Sequence, residues 1–103
     1  MKGRYDGKPF LQLLDYYFID AIGMLDEDEE GWLTASEPNF RLTFGETGSW
    51  REIVEKRMQF PAGMKGAIRE VWDKGRPRYI ATYGHEPNPI DFVQKFIDNK
   101  FPH

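Results

Sequence analysis

The chain has 103 residues, which is the size of one domain with one modest hydrophobic core. A content of 40% hydrophobic and 16% aromatic residues predicts a folded chain rather than a disordered one. Because the sequence contains no cysteine, a disulfide scaffold, a zinc ribbon and a thiol nucleophile are excluded.

The charge is divided unevenly along the sequence. Residues 1–50 hold four basic and ten acidic side chains, whereas residues 51–103 hold ten basic and seven acidic ones. The formal net charge of −3 predicts no general attraction to nucleic acid. The two halves could attract each other within one fold, could simply be solvated, or could meet between two chains.

No part of the sequence has the composition of an export signal or a membrane span. No stretch without Asp, Glu, Lys or Arg exceeds seven residues, and the first residues carry no apolar signal region. We therefore expect a cytoplasmic protein that does not enter a membrane.

The first predicted helix runs from Phe10 to Leu25, because apolar residues recur there at steps of three and four. The next helical stretch begins around Glu37, with Ser36 as a plausible cap, and Gly45 ends it. Ser49 opens a further helix, since its spacing from the glutamate at position 52 matches a capping box.

The second half of the sequence predicts two more helices. Pro61 suits the first turn of one of them, and Gly75 can end it. Residues 78–83 are ambiguous between a helical turn and an extended segment, with a glycine after them as a stop. Asn88 and Pro89 mark the start of the last helix. We therefore predict an all-α fold, a compact bundle of four to five short helices in one domain spanning residues 1–103.

One segment resembles a known binding motif. Residues 26–37 have twelve positions with Gly31 at the sixth, and they resemble a single EF-hand calcium loop. The resemblance implies calcium ligands at Asp26, Asp28, Glu30, Trp32 (through its carbonyl), Thr34 and Glu37. The alternative is that these acidic residues cap the following helix, which requires no metal. Calcium is the one cofactor that the sequence suggests.

A broader resemblance covers most of the chain. The segments 20–23, 40–45, 50–54 and 58–61 are similar to small bacterial helical proteins of unknown activity. That resemblance implies a helical fold and carries no catalytic residues.

The sequence favours a binding protein over an enzyme. Asp15 and Asp20 fall on different faces of the first helix, so we expect them at the solvent or at a cap. His85 lies in a loop without a nucleophile nearby. Protein interfaces favour aromatic residues and arginine, so the candidate partner-binding residues are Trp32, Arg76, Arg78, Tyr79 and Tyr83. We predict a non-enzymatic domain that binds another protein or a second copy of itself, with calcium binding as the alternative function.

Overall fold

The structure is a computed structural model that describes residues 8–101, and its regular elements in that range are all α-helices. The all-α prediction is confirmed. The predicted number of helices is too low, because residues 8–101 alone form six: α1 (Pro9–Ala21), α2 (Glu27–Ala35), α3 (Glu37–Phe44), α4 (Trp50–Met58), α5 (Met64–Tyr83) and α6 (Pro89–Lys100). Within residues 8–101, no helix is both long enough and apolar enough to cross a membrane.

Helix α1 is the centre of the fold and packs against α4, α5 and α6. The side chain of Phe18 in this helix is fully buried. The ring centres of Phe60, Phe96 and Phe101 lie 5.2 to 6.2 Å from the ring centre of Phe18. The prediction that α1 continues to Leu25 is wrong. The helix ends at Ala21, and Gly23 follows with a φ of +76°, a backbone conformation that only glycine adopts without strain.

The boundaries of α3 and α4 follow the predicted capping signals with one exception. The side chains of Ser49 and Glu52 form the predicted capping box at the start of α4. Gly45 ends α3 in the left-handed conformation. Ser36 stands at the start of α3, but its side chain makes no capping hydrogen bond.

Helix α5 is longer than predicted. It passes through Gly75 and Pro77, includes the ambiguous residues 78–83, and ends at Gly84 with a φ of +77°. Only Ile68 and Trp72 of this helix are buried. The part of α5 after them, residues 73–83, is called the distal arm below. It contributes no fully buried side chain to the core of a molecule whose longest dimension is 45 Å.

Candidate interaction surfaces

The acidic segment is helical, and its own carboxylates stabilise the start of the helix. The Asp26 side chain accepts the backbone N–H of Glu29 at 2.8 Å. The Glu29 side chain accepts the backbone N–H of Asp26 in return, which completes a capping box. Negative side chains in the first turn also favour the helix, because they lie near the positive end of its dipole. Residues 26–29 therefore act locally as a helix start.

This conformation differs from the loop that the EF-hand resemblance implies. An EF-hand holds its ion in a loop between two helices, whereas here residues 27–35 form α2. The carbonyl of Trp32 accepts the N–H of Ser36 at 3.0 Å within the helix. Glu30 accepts a hydrogen bond from Arg51 at 2.6 Å, and Glu37 accepts the N–H of a tryptophan in α4.

The implied calcium ligands do not surround a common cavity. Asp28 and Thr34 lie at exposed positions of α2. The other four implied ligands have the separate hydrogen-bond partners described above. Among the described residues, no group of three or more Asp, Glu, His or Cys side chains could hold a metal ion. Calcium binding at residues 26–37 stays a prediction from the sequence, and we do not adopt it as the proposed function.

Trp32 instead forms part of a groove between α1, α2 and α3. The indole is 55% exposed, and its ring lies 6.0 Å from those of Tyr16 and Phe40. The cavity has a volume of about 190 Å³. We call it the aromatic groove, and its lining includes Leu13, Tyr16, Trp32, Leu33, Phe40 and Phe44.

The lining of the aromatic groove is mostly apolar but also includes the polar side chains of Gln12, Asn39 and Thr43. Its Tyr16 side lies in a negative field, whereas Arg57 lies 5.6 Å from the ring of Phe44. Among residues 8–101, its lining contains no Asp, Glu, Lys, Arg or His side chain. Burial raises the pKa of the Tyr16 hydroxyl, and the negative charges of Glu29, Asp15 and Asp26 raise the pKa further. A ligand for this groove is therefore expected to combine an apolar group with positive charge.

The other four predicted partner-binding residues share the distal arm. Tyr83 is 63% exposed, and its ring centre lies 4.5 Å from that of Tyr79. Arg76 donates two hydrogen bonds of 2.6 Å to the carboxylate of Glu86. Arg78 forms no ion pair with a described residue. These four residues therefore lie together on α5, a helix different from that of Trp32.

A second groove lies between the distal arm and the start of α6. Its volume is about 180 Å³, with the edge-to-face rings of Trp72 and Phe92 at its floor. Arg76, Asp91 and Lys95 contribute charged groups of both signs to its lining. This mixture of charges does not specify the charge of a ligand.

A cluster of charges that sequence reasoning missed connects the two halves of the chain. The Asp20 carboxylate accepts hydrogen bonds from Arg51 at 2.8 Å and from Lys65 at 2.7 Å. Arg51 also pairs with Glu30. Asp20 is partly buried and Asp15 is fully buried, so the expectation that both face solvent or cap a helix is wrong. The uneven charge of the two halves was the signal for this attraction.

Comparison with known proteins gives no further assignment. No protein-family model, curated protein or solved structure matches this chain. The contacts of the described residues are therefore the basis for the proposals below.

Proposed function

We propose that this protein acts through protein–protein binding, with self-association as the form that we test. The observation that supports the proposal is the exposure of the distal arm. Two apolar side chains of the arm, Ile80 and Tyr83, face solvent, and Val71 is exposed just before it. Aromatic and apolar groups on an exposed helix, next to arginines, have the composition of a protein interface.

The arm also lacks the contacts that usually maintain a helix. No residue between 73 and 83 is fully buried, and most helical stability in proteins comes from the packing of an apolar face. Gly75 and Pro77 lie inside the helix, where they cost about 1 and about 3 kcal/mol relative to alanine. Binding that covers the arm would supply the missing packing.

The charges of the arm favour a protein partner over nucleic acid. Lys74 pairs with Glu70 at 2.6 Å, and Arg76 pairs with Glu86. These pairs reduce the positive charge that a phosphate backbone would meet. The proposed role needs neither a catalytic residue nor a cofactor, and a cytoplasmic location remains our expectation from the sequence.

The proposal is tested by measuring the mass of the full chain with size-exclusion chromatography and light scattering. We expect the average mass to rise above 12.1 kDa between micromolar and millimolar concentrations. It should fall again as salt is raised from about 0.1 M to about 1 M, because the Debye length shortens from about 10 Å to about 3 Å.

The matched variants reverse one exposed charge each. Arg78→Glu should weaken association severalfold, because it reverses the charge of a side chain on the arm. Lys100→Glu makes the same change at the end of α6 and should have little effect. A chain that stays monomeric at every concentration and salt would overturn the proposal of self-association.

A further inference from the structure

We infer that the aromatic groove between α1, α2 and α3 is the docking site for the distal arm of a second copy of this chain. The inference rests on the proposed function and names the two surfaces that meet. Tyr83 of one copy enters the aromatic groove of the next copy, and Arg76 lies near the acidic start of α2.

The size of the groove fits one aromatic ring. A cavity of about 150 Å³ in a protein accepts benzene, and the aromatic groove has about 190 Å³. Its walls already carry the edge-to-face pair of Trp32 and Phe40 at 77°. A further ring from a partner can pack there in the same way, because edge-to-face contacts are favourable between aromatic side chains.

The arm presents an arginine and an aromatic ring on one face. Arg76, Ile80 and Tyr83 lie four and three residues apart, so helical spacing places them on one side of α5. Tyr83 is the last residue of the helix and its ring is mostly exposed. The arm therefore offers an aromatic ring at its tip with an arginine behind it.

The charges of the two surfaces are opposite. Glu27 and Asp28 are exposed in the first turn of α2 and form no ion pair with a described residue. Arg76 and Glu86 form a bidentate pair, but both side chains are about half exposed, so water can solvate Glu86 when Arg76 leaves it. Arg76 can therefore turn to the α2 carboxylates, and the charge of Arg78 adds to the attraction.

Contact between two different surfaces has a distinctive consequence. Each copy carries one groove and one arm, so a bound pair still has a free groove at one end and a free arm at the other. Such a head-to-tail contact extends into longer assemblies unless the rotation closes a ring. A face-to-face dimer would instead stop at two copies.

The test uses two variants with one damaged surface each. Trp32→Ala removes a wall of the groove, and Tyr83→Ala removes the ring of the arm. Both side chains are more than half exposed, so neither change leaves a buried cavity. We expect each variant alone to associate at least tenfold more weakly than the unaltered chain. A few side chains, often aromatic, carry most of the binding energy of an interface, and each variant removes one of them.

An equimolar mixture of the two variants should recover association and stop at twice the monomer mass. The Trp32→Ala chain retains an intact arm, and the Tyr83→Ala chain retains an intact groove. A control variant, Leu42→Ala, removes an exposed apolar side chain outside the proposed contact and should associate like the unaltered chain.

Each other outcome overturns the inference in a recognisable way. If the unaltered chain associates and both Trp32→Ala and Tyr83→Ala do so equally well, self-association stands but these surfaces do not mediate it. If the variants are weakened but their mixture does not recover, the contact is not head-to-tail. An unaltered chain that remains monomeric removes both this inference and the proposed self-association.

Discussion

At the scale of single residues, burial decides which charges hold this protein together. Asp20 belongs to the central helix α1, and its carboxylate accepts hydrogen bonds from α4 and α5 through Arg51 and Lys65. Burial raises the pKa of Asp20, but these hydrogen bonds outweigh burial and hold the pKa below its ordinary value. The charged carboxylate therefore stabilises the folded state.

We predict that Asp20→Asn lowers the free energy of unfolding by about 1–2 kcal/mol at pH 7, because two charge-assisted hydrogen bonds are weakened at a partly exposed site. The stabilisation by Asp20 is complete above the unfolded pKa of about 3.9 and is lost as the pH falls through the lower folded pKa. Urea unfolding of both chains should therefore show a difference that is full at neutral pH and shrinks below about pH 4.

The control for this prediction is Asp73→Asn, which weakens an exposed pair between Asp73 and Arg69. Its effect should stay within about 0.5 kcal/mol at every pH. An Asp20→Asn effect that did not depend on pH would show that the carboxylate charge contributes nothing.

At the scale of elements, capping signals located the starts of α4 and α6, whereas α5 begins at Met64 rather than at Pro61 and the helix ends depended on the glycine conformation. Gly45 and Gly84 adopt a positive φ and end α3 and α5. Gly75 is also a glycine, but it lies within α5 and the helix continues past it. Glycine permits both conformations, so the sequence alone does not decide between them.

We predict that Gly75→Ala stabilises the distal arm. A methyl group at this position would meet no atom within 4 Å, and alanine favours a helix by about 1 kcal/mol over glycine. The amides of residues 78–83 should exchange about fivefold more slowly with solvent deuterium, as followed by NMR or mass spectrometry.

The same substitution at Gly45 should destabilise the protein rather than stabilise it. Gly45 also has open space around it, but its φ of +65° strains any residue with a side chain. We expect Gly45→Ala to lower the free energy of unfolding by about 1 kcal/mol or more. If the amides of residues 78–83 exchanged with deuterium equally fast in Gly75→Ala and in the unaltered chain, this would contradict the marginal stability that we assign to the arm.

At the scale of the whole molecule, the central helix α1 joins α4, α5 and α6. The α1 ring of Phe18 meets Phe60 after α4, Phe96 in α6 and Phe101 at the end of α6. These residues are far apart in the sequence, so this contact contributes to the closure of the bundle as a unit.

We predict that Phe18→Ala lowers the free energy of unfolding by about 3–5 kcal/mol, because a fully buried ring is replaced by a cavity. Domains of this kind are stable by only about 5–15 kcal/mol in total, so the midpoint of urea unfolding should shift strongly. Leu42→Ala, at a side chain that is 85% exposed, should change the free energy of unfolding by no more than about 0.5 kcal/mol. Equal midpoints for the two variants would contradict a central role for Phe18.

The sequence by itself determined the all-α class, the capping box at Ser49, the start of α6 at Asn88 and most of the apolar faces. Those features depend on side chains within three or four residues of each other, so a local pattern contains the information. The same local rules also allowed α2, since negative residues at a helix start need no metal, although the EF-hand spacing favoured a loop there.

Only the tertiary structure decided which polar residues are buried, how far α5 continues and which aromatic side chains line a groove. Asp20 meets Lys65 across 45 positions of sequence, and Trp32 meets Tyr16 because α2 packs near α1. Contacts over such separations arise from the packing of whole helices. They turned the uneven charge of the two halves into a partly buried cluster at Asp20 and two exposed surfaces, the aromatic groove and the distal arm.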